Sequence, residues 1–322
     1  MVSDTVLILA GLIVGLLLQQ GVLKLVSRQE LLAEVNERSS HVTPTPTMGG
    51  SVIVLVVLAF LLYLTPHLGL LTGGLLVATG LVAGIGLWDD IQHLDAKVRF
   101  AVHVVGAAVG LWALGVEPGF SAVLLLVGLV WLTNLYNFMD GIDGIAAVQT
   151  LTFCVGVQLV TGGVPGWSGD LLWLLSGVTL AFLAYNWPPA RIFMGDVGSG
   201  FLGLLIGLLV LYLWQLDILP LIGSLILLAG FWFDASYTLC VRMISGQRFT
   251  QAHRSHLYQR LATAKGHAWT TSVFLGFSLF WLWPLTLLAQ LYPGWQAAAL
   301  LVAILPLAAG CWYYRAGVNS AG

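Results

Sequence analysis

The sequence predicts an all-α, polytopic integral membrane protein of about eleven transmembrane helices. Three observations carry that prediction. Of 322 residues, 59% are hydrophobic, and the mean hydropathy is +0.94. Only 8% are charged, where soluble domains carry about a quarter. The apolar residues are also gathered into runs near the ~20 residues that cross ~30 Å of hydrocarbon.

In chain order, the run 5–26 is too long for a signal peptide. No Lys or Arg precedes it and no small-residue cleavage site follows, so it is expected to remain as a membrane anchor. A short run at 49–64 is followed by 68–87, beyond which lie Asp89 and Asp90, and then by 98–115 and 119–136. The run 145–163 follows the polar stretch NLYNFMDGIDG, residues 134–144. The run 169–186 is stopped by Pro188 and Pro189, which break a helix, and 197–215 opens on Gly198-Ser199-Gly200. The runs 218–238, 271–292 and 295–314 complete the set, the first two separated by the longest polar loop, 239–270.

With these spans, the 12 Lys and Arg residues fall on or beside alternate connections. The opposite connections hold Asp4, Glu117, Asp170 and Asp217 and no basic residue. The positive-inside rule then puts the N-terminus outside and the C-terminus in the cytoplasm. Connections 27–48, 88–97, 137–144, 187–196 and 239–270 are internal and the longer ones. No repeat, low-complexity tract or linker marks a second domain, so 1–322 reads as one transmembrane domain with its chemistry on the cytoplasmic face. A net charge of −2 and the lack of a basic tail give no footing for nucleic acid. Cys154, Cys240 and Cys311 have neither CxxC nor metal-ligand spacing and read as small buried apolar residues.

Four internal loops carry acids and amides that anchoring does not need, and a carboxylate beside hydrocarbon is costly without a partner. In GLWDDIQHLDAKVRF (86–100), Asp89 and Asp90 repel, which raises one pKa unless a cation or donor is present; Lys97, Arg99 or a divalent metal would serve. If the fifth helix continues, Asn134, Asn137, Asp140 and Asp143 rotate by ~60° per step and fan across one half of its surface. Gly141 and Gly144 let the backbone turn there. In NWPPARIFMGDVGSGFLG (186–203), Arg191 and Asp196 precede Gly198 and Ser199, and a glycine-rich helix start with free N–H groups suits phosphate.

In SGQRFTQAHRSHLYQRL (245–261), His253, Arg254 and His256 lie between Arg248 and Arg260, a cluster suited to the charges of a pyrophosphate. His67, His93, His103 and His267 are isolated and read as structural or surface residues. Carboxylates for a metal, cations for phosphates and hydrocarbon alongside are the parts of metal-bridged phosphoryl transfer with a lipid reactant. Solvated loop mouths and polar helix packing are the plain alternatives, and a secondary transporter or a non-catalytic scaffold the functional ones. A transporter would keep its ionisable residues near the midplane rather than at the cytoplasmic ends.

NERSSHVTPTPTMGG (36–50), Asp89-Asp90, NLYNFMDGIDG, FMGDVGSG (193–200) and AHRSH (252–256) occur in one order along nearly the whole chain. In these motifs the sequence resembles the polyprenyl-phosphate N-acetylhexosamine-1-phosphate transferases, of glycosyltransferase 4 type. That family includes the phospho-MurNAc-pentapeptide translocase and the initiating transferases of O-antigen and common antigen. The resemblance implies that undecaprenyl phosphate attacks a UDP-N-acetylhexosamine, releasing UMP and leaving a polyprenyl diphosphate sugar in the bacterial inner membrane.

By the same resemblance Asp196 matches the magnesium ligand, with manganese an acceptable substitute. Asp89 and Asp90 match an acidic pair that handles metal or lipid phosphate. Asn137, Asp140 and Asp143 match the nucleotide and catalytic segment, and His253 and His256 the diphosphate-contacting loop. A homodimer is implied as well. Two departures stand out. Arg254 and Ser255 separate histidines that are consecutive in the translocase, which makes the chain more like the O-antigen-type enzymes. Thr47 and Met48 stand where many relatives have a basic residue and a glycine, leaving His41 and Arg38 as that loop's phosphate candidates.

Overall fold

The structure, a computed structural model, describes residues 3–28, 32–33, 45–247 and 253–318. It is all-α and polytopic. Helices α1 (Asp4–Arg28), α2 (Ser51–Leu68), α3 (Leu70–Gln92), α4 (Ala96–Ala113), α5 (Phe120–Met139), α6 (Ile145–Thr161), α7 (Gly166–Asn186) and α8 (Asp196–Gln215) come first. They are followed by α9 (Leu221–Leu227), α10 (Ala229–Ile244), α11 (Leu257–Lys265), α12 (His267–Phe277), α13 (Trp283–Leu291) and α14 (Gln296–Tyr313). A two-residue antiparallel pairing, Leu32–Ala33 with Thr45–Pro46, is the one strand contact among the described residues.

Every expected span coincides with helix, but not every one is a straight crossing. Among the described residues nine helices are long and apolar enough to cross a membrane, counting His267–Leu291 as one helix that includes a π-helical turn at Ser278–Leu282. Helix α6 has 17 residues, about 25 Å at 1.5 Å per residue, which falls short of the hydrocarbon thickness. The expected span 218–238 is corrected: it divides into α9 and α10, which meet at 79°. The break is held by an aromatic side chain. The Trp232 indole N–H donates to the Leu225 carbonyl at 2.8 Å, satisfying an acceptor in the last turn of α9.

Helix α8 is the central mast, buried along almost its whole length by α3, α4 and α5. Lipid tails are as apolar as leucine, so these helices associate through close packing, and small residues let their backbones approach. A Cβ on Gly86 of α3 would stand 2.4 Å from the Asp196 carbonyl oxygen, and one on Gly203 of α8 would stand 2.8 Å from Thr133 Cα. Helix α1 lies on α7 in the same way: a Cβ on Gly177 would stand 2.2 Å from the Ile8 carbonyl oxygen.

One end of the bundle gathers the end of α3 with the start of α4, the end of α5 with the start of α6, the end of α7 with the start of α8, and the start of α12. The polar loops noted in the sequence converge there. Gly86→Val should therefore separate α3 from α8 at a cost of about 1–3 kcal/mol. Gly80→Val, whose Cβ would meet nothing within 4 Å, should leave the thermal midpoint in detergent unchanged and serves as the control.

Candidate active site

The junction of α3 and α8 is built on a carboxylate. Asp90 accepts the Asp196 N–H at one oxygen (2.8 Å) and the Val197 N–H at the other (3.0 Å), so a side chain from α3 caps the start of α8. Gly195 precedes that start at φ +78°, and a Cβ there would lie 2.6 Å from an Asp90 oxygen. Glycine is needed both for the conformation and for the space.

This corrects the expectation of free N–H groups for phosphate. Asp90 takes the first two, and the Gly198 and Ser199 N–H groups both donate to the Gly195 carbonyl at 3.1 Å. Gly198 instead serves close packing, since a Cβ there would stand 2.7 Å from Gly50 Cα.

Asp89 faces the other way. It accepts the Leu94 N–H at 2.6 Å and pairs with Arg99, whose guanidinium also reaches Asp196; both ion pairs are 2.5 Å. The repulsion expected between Asp89 and Asp90 is thus relieved by backbone donors and an arginine. Lys97 is exposed in the first turn of α4, where its N–H donates to the Asp95 cap at 2.7 Å.

Beside this junction lies a cavity of about 250 Å³, lined by Thr47, Asp90, Asn137, Asp140, Asp143, Asn186, Phe193, Asp196, Ser199 and His267 among others. Asn137 donates to the Ser199 hydroxyl at 3.0 Å across the cavity wall. Helix α5 ends at Met139, so the three-residue steps stop being helical there, and Asp140 and Asp143 reach the cavity on the turn that follows. Asn134 does not line it; its amide donates to the Val130 carbonyl at 2.7 Å and it pairs with His103 of α4.

No donor among the described residues meets the Asp140 carboxylate. Burial, and then the neighbouring Asp196, Asp90 and Asp143, push its pKa well above the usual range. Asp143 is by contrast well held, with one oxygen accepting the Ala190 N–H (3.0 Å) and the other 3.2 Å from His267 Nδ1. Gly144, at φ +78°, donates to Asn186 Oδ1 at 2.9 Å, and the Asn186 amide donates to the Ile192 carbonyl at 2.8 Å. Asn186 thereby ties the turn after α5 to the loop before α8. Arg191 is exposed and stands over the Tyr185 ring at 5.2 Å, away from the cavity lining.

The histidine loop forms a second polar centre. Asp234, 2% exposed on α10, accepts the Leu257 N–H (2.8 Å), the Tyr258 N–H (3.0 Å) and the Thr238 hydroxyl (3.1 Å). It caps α11 as Asp90 caps α8, and His256 Nδ1 lies 3.7 Å from the same carboxylate. Tyr258 then reaches across to donate to the Phe138 carbonyl at 2.8 Å, lying over Gly141.

His253 packs against His256 with ring centroids 4.9 Å apart, and its Nδ1 lies 2.9 Å from the Ser255 hydroxyl. Burial first, then His256 and Arg242, hold its pKa down to about 4. At neutral pH His253 therefore adds no positive charge to this cluster, and Arg254 beside it is exposed. His253, Arg254 and His256 do not line the cavity but join it through Tyr258. His41, Arg38 and Arg248 lie outside the described residues.

Four site residues escaped the sequence reading. His267 stands isolated in the sequence, yet it lines the cavity. Asn186 and Tyr258 sat inside motifs read for other residues. Asp234 had a signal, an acid within the apolar run FWFDASY.

Comparison with known proteins agrees with the motifs. The family description "Glycosyl transferase family 4" matches residues 72–214. A decaprenyl-phosphate N-acetylglucosaminephosphotransferase of Mycobacterium leprae is 35% identical over 216 residues, covering 56% of this chain and 54% of that protein. A probable undecaprenyl-phosphate N-acetylglucosaminyl 1-phosphate transferase of Bacillus subtilis is 28% identical over 284 residues, covering 81% and 78%. A phospho-N-acetylmuramoyl-pentapeptide-transferase of Chlamydia muridarum is 33% identical over 236 residues, covering 62% and 69%. The chain belongs to glycosyl transferase family 4. It spans about half the length of the mycobacterial family 4 relatives it matches.

Among the described residues no three His, Cys, Asp or Glu side chains stand close enough to hold a metal alone. The cavity's oxygen donors nevertheless fit a hard divalent cation, which takes one or two carboxylates and completes its shell with water and substrate phosphates. Asp140 and Asp196 are the donors that fit best, because Asp89 and Asp90 already accept at both oxygens.

Two outcomes are expected from the histidine loop of this family 4 protein. Asp234→Ala should strand two buried N–H groups at about 1–3 kcal/mol each, with faster amide hydrogen exchange confined to residues 253–265. Because His253 is held below its unfolded value of about 6.5, its neutral form contributes stability that is full above pH 6.5 and lost as pH falls toward 4. Thermal midpoints should drop across that window, and His253→Gln should flatten the drop.

Proposed function

We propose that this protein transfers a sugar-1-phosphate from a UDP-N-acetylhexosamine to undecaprenyl phosphate, releasing UMP. The observation that carries the reading is the cavity itself: Asp90, Asp140, Asp143 and Asp196 converge at one end of a bundle of apolar helices, with Arg99 on Asp196. The named activities of the relatives support it. The setting is a bacterial inner membrane with the cavity on the cytoplasmic side, and the product begins O-antigen or another envelope glycan. A homodimer is part of the proposal, on the resemblance alone.

In the reaction an oxygen of the lipid phosphate forms a bond to the sugar-bearing phosphorus of the donor, and the bond from that phosphorus to the UMP oxygen breaks. A phosphate monoester is already largely ionised at cytosolic pH, its second pKa being about 6, so no residue need act as a strong base. Bound magnesium or manganese would neutralise charge on the phosphate oxygens. Asp140 and Asp196 would hold that ion, and Asn137 and Ser199 line the wall beside it. Arg99 balances Asp89 and Asp196, and Asp90 fixes where Asp196 stands. Asp143, Lys97, Arg191, Arg254, His253, His256 and His41 complete the set proposed to serve substrate.

The Chlamydia match favours a second reading, in which the donor is UDP-MurNAc-pentapeptide. One assay separates the two. Purified protein, undecaprenyl phosphate and magnesium are offered UDP-N-acetylhexosamines or UDP-MurNAc-pentapeptide, and UMP is measured. Release with a UDP-N-acetylhexosamine that requires the lipid is expected, falling at least about 100-fold in Asp196→Asn and Asp140→Asn. Near-normal rates in both variants at saturating magnesium would overturn the ligand roles. Release only with the pentapeptide donor would overturn the choice of substrate.

A further inference from the structure

The segment that follows α14 is built to meet the histidine loop. Helix α14 closes in a Schellman turn: the Arg315 N–H donates to the Trp312 carbonyl at 3.2 Å, and the Ala316 N–H to the Cys311 carbonyl at 2.8 Å. The left-handed position of such a turn is usually glycine, but here it is Arg315, at φ +53°. Ala316 clusters with Cys311 and with Leu257, the first residue of α11, and all three are buried. The chain therefore leaves α14 against the start of α11.

Gly317, at φ +80°, then straps the loop. Its N–H donates to the Ser255 carbonyl at 2.9 Å, and its carbonyl accepts from Gln247 Nε2 at 3.2 Å. The Val318 carbonyl accepts from the Arg260 guanidinium at 2.5 Å. A Cβ on Gly317 would stand 2.7 Å from the Thr238 carbonyl oxygen and 2.8 Å from Val241 Cβ, so glycine is needed for space as well as for conformation. Asp234 holds the loop only from Leu257 and Tyr258 onward, whereas Gly317 holds Ser255. The Ser255 hydroxyl, itself buried, lies 2.9 Å from His253 Nδ1. Resting on the transferase reading, we propose that Gly317 is a positioning residue for transfer: it fixes Ser255, whose hydroxyl orients the His253 ring toward the donor.

The test uses the purified full chain. Gly317→Val removes the room for the strap, and Arg260→Gln loosens its Val318 anchor without backbone strain. Ser255→Ala cuts the link to His253 but keeps the backbone carbonyl. Each strap variant is also combined with Ser255→Ala, and thermal midpoints establish which proteins are folded. In Gly317→Val and in Ser255→Ala, kcat for UMP release should fall about fivefold, the loss of one hydrogen bond. Donor KM should stay within about twofold, because a misplaced contact costs the transition state most. Arg260→Gln should lower kcat about threefold, and it carries the comparison if Gly317→Val does not fold. Each double variant should lie within about 1.5-fold of Ser255→Ala alone, where independent effects would multiply to about 15-fold or 25-fold.

Losses that multiply in the double variants would overturn the proposal, since the strap would then act without His253. A loss carried by KM alone, or an unchanged kcat in Ser255→Ala or in a folded strap variant, would overturn it outright. Absence of UMP release from the wild-type chain with every donor would overturn the transferase reading, and this inference with it.

Discussion

The carboxylate of Asp90 on the first two N–H groups of α8 is the constraint on which the site depends. Each such charge-assisted bond contributes about 1.5–3 kcal/mol, and here the pair joins two helices that have no sequence proximity. The close approach at Gly86 and the bare backbone of Gly195 exist to let that contact form. It fixes the rotation and height of α8, and with them the place where Asp196 stands and where Ser199 meets Asn137. Asp234 repeats the device on α11, setting the histidine loop and, through Tyr258, the turn after α5. Two membrane helices thus each spend an acid on holding the start of another.

Charge explains the rest of the geometry. Asp89 and Asp90 are each met by two donors and Asp143 by the Ala190 N–H with His267 beside it, whereas Asp140 meets none among the described residues and is driven toward its neutral form by burial and by its neighbours. A carboxylate left in that condition beside Asp196 marks where positive charge is wanted. The donors on the remaining carboxylates keep the surrounding loops from spreading apart under their own repulsion.

Much of this was legible in the sequence, because hydropathy and basic-residue spacing report directly on membrane crossing. The long apolar helices, the shared end of the bundle and the gathering of Asp90, Asn137, Asp140, Asp143, Asp196 and Ser199 follow from runs and motifs. What was not legible depends on contacts between distant residues. The bend between α9 and α10 turns on an indole reaching a carbonyl, and no hydropathy window registers that. The fan from Asn134 to Asp143 assumed a helix that stops at Met139. His267 looked isolated because its partner, Asp143, is far away along the chain, and Gly198 looked like an anion site because the side chain already seated on that helix start comes from α3.

The arginine shared by Asp89 and Asp196 has one more consequence. Asp196 already has a counterion, so the cation proposed for it would bind by an exchange of partners rather than by filling a void. Asp89, with its own N–H donor from Leu94, is where the guanidinium can remain. Under the proposed reading, Arg99 would release one of its two carboxylates to such an ion and keep the other.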